Sequence, residues 1–98
     1  MSPSLTTDES ALYAMPAGDL ATHGRAAQQF AAAADRALAD FTVRVLMLPP
    51  GSSLDLVRRA ATEAGLIPRA REIIAAVLEA DEVMRAYLET LRRRGIRS

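Results

Sequence analysis

From Leu20 onward, small and apolar residues recur in alternating steps of four and three: Leu20, Gly24, Ala27, Ala31, Ala34, Leu38, Phe41, Val45 and Leu48. That spacing keeps returning to one side of a 3.6-residue helix, so it predicts one long helix. Its face is narrow in the first half, where alanine and glycine fill it. Inside "FTVRVLML" a second pattern competes, because Phe41, Val43, Val45 and Met47 alternate as a strand would. Helix is the preferred reading, since no other segment offers a partner strand and a lone strand is unstable.

"PPGSS" ends the segment, and its serines are helix-starting residues. Ser52 with Asp55 three later approximates a capping box for a second helix, Leu54 to Ala64, with Leu54, Val57, Ala61 and Ala64 on one face. Gly65 falls where a helix end needs positive φ, and Leu66 takes the apolar place that follows it in a Schellman motif. Pro68 suits the first turn of a third helix. There Ile73, Val77, Ala80, Met84, Tyr87 and Leu91 repeat in steps of four and three, with Ile74, Leu78 and Leu88 widening the stripe. "RRRG" closes it with cations at the negative helix end.

Residues 1–18 read as a flexible N-terminal segment: a polar tail, then one or two helical turns in "DESALYAM" before Pro16. Asp19 is the expected N-cap of the long helix. The fold class this predicts is all-α, a small bundle of three main helices over residues 19–98. Two are long and antiparallel, and one is of medium length.

Composition narrows the function. Half of the 98 residues are apolar, but about twenty are alanine and only 4% are aromatic. Such helices approach closely and enclose a thin core. Twelve basic residues balance twelve acidic ones, so no global field draws the chain to nucleic acid or an anionic membrane. Every basic residue is arginine, which a GC-rich bacterial genome explains. No apolar run approaches the length of a membrane span. The first twenty residues hold acids and no base, unlike a signal peptide, and the expected location is cytoplasmic. Cysteine is absent, which removes disulfides and thiolate chemistry.

Few residues suggest chemistry. His23 stands alone, with no cysteine or second histidine to share a metal. Glu79 and Glu82 are three apart, a spacing more typical of a solvated helix face. Ser53 in "GSSLDLV" invites comparison with the Asp-Ser-Leu motif that carries phosphopantetheine in acyl carrier proteins. Ser52 replaces the aspartate and the long preceding loop is missing, so a helix cap accounts for the serine. The Trp-x-Gly turn of small secreted helical-hairpin proteins is also absent, because the chain has no tryptophan. No catalytic residue, cofactor site or metal site is expected, and no small-molecule substrate is evident.

Two functions remain. The favoured one is a non-enzymatic helical module that binds another protein or a second copy of itself. Its expected contact residues are Leu46, Met47, Val77, Val83, Met84, Tyr87, Leu88 and Leu91, because the apolar stripes exceed what thin helices hide from one another. The alternative is a helix-turn-helix DNA-binding regulator with its turn at Gly65. Ala61, Gly65 and Leu66 match that motif, and Arg69 and Arg71 would read bases or phosphates with help from Arg92, Arg93 and Arg94 of "RRRGIRS".

Overall fold

A computed structural model describes residues 5–95; the polar tail at 1–4 and Arg97 of the basic C-terminal tail lie outside them. Among the described residues the protein is all-helical, with α1 at Glu9–Ala14, α2 at Ala17–Asp40, a π-helix at Phe41–Val45, α3 at Leu54–Ala64 and α4 at Ile67–Arg93.

Local chemistry sets each boundary. Asp8 caps α1 by accepting from Ser10 N–H at 3.0 Å. Met15 then turns extended (ψ 141°), as a residue before proline is driven to do. α2 starts earlier than the sequence suggested. Leu20 N–H already donates to the Pro16 carbonyl at 2.9 Å, which places Asp19 inside the first turn and not at the cap. A carboxylate there still favours the positive helix end.

Within 41–48 the helix covers Phe41–Val45 and stops there, and no residue of the stretch is in a strand. Leu46 N–H reaches back five residues to the Phe41 carbonyl at 3.0 Å, and Leu48 N–H reaches the Thr42 carbonyl at 2.9 Å. Lengthening the repeat by one residue changes which side chain follows Phe41 inward. Leu46 packs on the core, Val45 turns out, and Thr42 is buried with its hydroxyl on the Leu38 carbonyl at 2.7 Å. Met47 leaves the turn with φ 58°, in the left-handed region. An L side chain pays about 1–2 kcal/mol there, and glycine pays none. Met47→Gly is therefore expected to raise stability by about 0.5–1 kcal/mol after its greater unfolded-state entropy is allowed for. A urea midpoint that stays level or falls, at unchanged slope, would count against this left-handed conformation.

Ser53, and not Ser52, caps α3: Leu56 N–H donates to its hydroxyl at 3.2 Å, while Ser52 Oγ binds the Pro49 carbonyl. The far end of α3 is the Schellman motif its sequence predicts. Gly65 has φ 73°, Leu66 N–H donates to the Ala61 carbonyl at 2.8 Å, and Gly65 N–H donates to the Thr62 carbonyl at 3.2 Å.

The chain divides into two compact units, one of Met1–Ala31 with Glu79–Ser98 and the other of Ala32–Leu78. In the first, Leu12 of α1 packs with Leu20 and Ala86, flanked by Met15, Tyr87 and Leu91. In the second, Phe41, Val57, Ala61, Ala70 and Ile73 form the core, and Leu38, Leu46, Leu48, Leu66 and Ile67 close around it. No helix among the described residues is long and apolar enough to cross a membrane.

Candidate functional site

The expected contact residues divide by burial. Val77 and Val83 are interior, Val83 completely so, and neither belongs to a free surface. Leu46, Met84, Tyr87 and Leu91 are half-buried, and all of these except Met84 pack against one or other core. Met47 and Leu88 are exposed, at 82% and 49%. The burial of Val77 and Val83 follows from the phase of α4. α4 buries Ala70, Ile73, Ile74, Val77, Ala80, Val83, Ala86 and Thr90, a face rotated slightly from the stripe that spacing alone picks out. Thr90 can lie inside because its hydroxyl donates to the Ala86 carbonyl at 2.8 Å.

What emerges in the second unit is an apolar turn. Val43 and Val45 on the π-helix and Met47 just after it are exposed large hydrophobics, and so is Leu56 on α3. Arg44, between the valines, pairs with Asp40 at 3.2 Å along the same helix. Of the four positions whose alternation imitates a strand, Val43, Val45 and Met47 thus face outward while Phe41 is in the core.

The joint around Gly65 is the expected turn of the alternative reading. Ala61 and Ala70 are fully enclosed and face the same core, and Leu66 packs against it. Arg69 is exposed, with its guanidinium on Glu72 at 3.1 Å, so a carboxylate stands beside the would-be reading side chain. Arg71 is exposed too. It lines a groove of about 480 Å³ between α3 and α4, together with Arg58, Thr62, Ile67, Ile74 and Leu78.

The C-terminal arginines serve the first unit's own structure. Arg92 grips Glu89 with two nitrogens, and Arg93 Nε reaches the same carboxylate at 3.3 Å. The hydrogen bonds from Arg92, and then its charge and those from Arg93, hold the Glu89 carboxyl below its usual range. Arg93 also lies 3.6 Å from Glu9, whose buried Oε1 has charge compensation but no hydrogen bond. Arg94 Nη1 donates to the Met15 carbonyl at 2.6 Å and so closes the end of α1. Sequence reasoning missed the Arg93–Glu9 and Arg94–Met15 contacts because those partners lie almost the whole chain away.

His23 is buried, its ring 6.2 Å from that of Tyr87, and its Nε2 has no hydrogen-bond partner. Burial pushes its pKa below the usual histidine range, so it is held neutral in the fold. An unfolded chain binds the proton near pH 6.5 and the folded one resists until lower pH. Stability is therefore full above about pH 6.5 and falls as pH drops below it, levelling off beneath the folded pKa. Urea midpoints measured between pH 7.5 and 5.5 should decline, and the decline should vanish in His23→Gln. An equal slope in both proteins would assign it to another group. Glu79 and Glu82 are exposed, and no group of three or more metal-binding side chains gathers among the described residues.

No known protein family, curated protein or solved structure matches this chain.

Proposed function

We propose that the chain is a non-enzymatic interaction module, a bundle of three main helices, that binds another polypeptide or a second copy of itself. The observation that supports this most is the apolar turn of the second unit. Val43, Val45 and Met47 project outward there, and Met47 does so from a backbone conformation that an L residue adopts only at a cost. Strain retained at an exposed, flexible, polarisable side chain fits recognition better than packing. Leu46 and Leu48 beneath the turn fix it to the core, so the surface is preorganised.

Light scattering after size exclusion, over a concentration series, tests this. The wild type is expected to exceed the mass of one chain, or to carry a partner through purification, and Val45→Glu/Met47→Glu is expected to lose that association. A wild type that stays single at every concentration, with the same retained proteins as the variant, would end the proposal. Met47→Gly offers a sharper form of the test: it should gain stability and lose association together.

A second reading, DNA binding, draws support from the geometry at Gly65, Ala61 and Ala70. Under it, Arg69→Ala/Arg71→Ala should abolish a salt-sensitive shift of a random duplex. The Arg69–Glu72 pair and the balance along α4, five arginines against five carboxylates, favour the first reading.

A further inference from the structure

The groove between α3 and the first half of α4 has a composition that neither the apolar turn nor a DNA-reading helix explains. Ile67, Ala75 and Leu78 supply aliphatic surface over a floor formed by the buried Ala70 and Ile74, and Leu78 is nearly half exposed. Arg58 and Arg71 contribute the charge, and no carboxylate lines the groove. The nearest acid to Arg58 along its helix, Asp55, lies 3.9 Å off with both side chains largely exposed, a contact too loose to neutralise it.

A phosphate backbone would meet the arginines but gain nothing from an isoleucine and leucine surface. A purely apolar ligand would leave two guanidinium groups partly desolvated and unpaired. An occupant that satisfies both presents aliphatic side chains at one helical spacing and carboxylates at their margin. Ala70 and Ala75 leave room for such side chains to enter, as in helix-in-groove recognition. Arginine also suits this role, since its planar fork meets a carboxylate through two hydrogen bonds.

We propose that this groove is a docking site for an acidic amphipathic segment of a partner protein, held by apolar contact along Ile67, Ala75 and Leu78 and by carboxylates on Arg58 and Arg71. The site rests on the reading of the chain as an interaction module. It uses residues separate from Val43, Val45 and Met47, so either surface can fail alone.

Selection of a random peptide display library on the intact chain tests the site directly. Enriched peptides should pair aliphatic residues at three- and four-residue spacing with flanking Asp or Glu. By fluorescence anisotropy, a selected peptide should lose at least about tenfold in affinity for Arg58→Glu/Arg71→Glu. Both side chains are exposed, so unchanged far-ultraviolet circular dichroism should show that the variant folds. Val45→Glu/Met47→Glu should bind the peptide as the wild type does. Basic or charge-free peptides, peptides indifferent to the arginine variant, displacement by a random DNA duplex, or no enrichment at all would each overturn the assignment.

Discussion

Leu12→Ala is expected to cost about 2–5 kcal/mol, a large share of the stability of a chain this size. Leu12 has no solvent exposure, and it packs with Leu20 and Ala86 although α1 has only six residues. A helix that short does not form alone, because nucleation outweighs the few bonds it gains. It exists through the Asp8 cap, the Arg94 hydrogen bond to Met15, and above all the burial of this leucine. Truncation removes the γ-methine and both δ-methyl groups and leaves a cavity beside Leu20. The urea midpoint should fall steeply, and amides of residues 9–15 should lose hydrogen-exchange protection. If residues 1–18 were a loosely attached segment, the same change would register within about 0.5 kcal/mol, as an exposed substitution does. The two outcomes differ severalfold, so one titration decides whether α1 belongs to the first unit's core.

Much of the fold was legible because helix ends are local events. Pro16, the Pro49–Pro50–Gly51 run and Gly65 stop or start helices through their own backbone constraints, and the sequence shows them without tertiary help. The phase of α4 was harder. Its period was plain, but apolar residues flank the true buried line on both sides, and only the packing partner selects Val83 over Leu88. The π-helix was illegible for a related reason. Nothing in "FTVRVLML" states that Leu46 will follow Phe41 inward, and one residue of slip exchanges Val45 for Leu46. Of the candidate surface, Met47 was evident as an unpartnered apolar residue. Arg58 was not, since a lone arginine on α3 gains meaning only from the groove it borders with Arg71.

Gly24→Ala should destabilise the protein, reversing the usual effect of that change inside a helix. Alanine ordinarily gains about 1 kcal/mol over glycine in a helix interior. Here a Cβ would lie 2.2 Å from both Cζ and Oη of Tyr87 and 2.8 Å from Cε1, so the ring cannot stay. It can leave only by rotating away from the Leu12–Leu20–Ala86 cluster against which it packs, and from His23. Overpacking of this kind costs about 1–3 kcal/mol, which leaves a net loss of up to about 2 kcal/mol once the helix gain is subtracted. The sign should flip when the ring is absent. In a Tyr87→Leu background, Gly24→Ala should stabilise by up to about 1 kcal/mol, giving a coupling near 2 kcal/mol in a double-mutant cycle. Stabilisation in both backgrounds would mean that the ring moves aside freely and that the close approach does not hold α2 at Gly24. A sign reversal would identify Gly24 as the place where the narrow, small-residue face of α2 is used, admitting an aromatic ring edge that any larger residue would exclude.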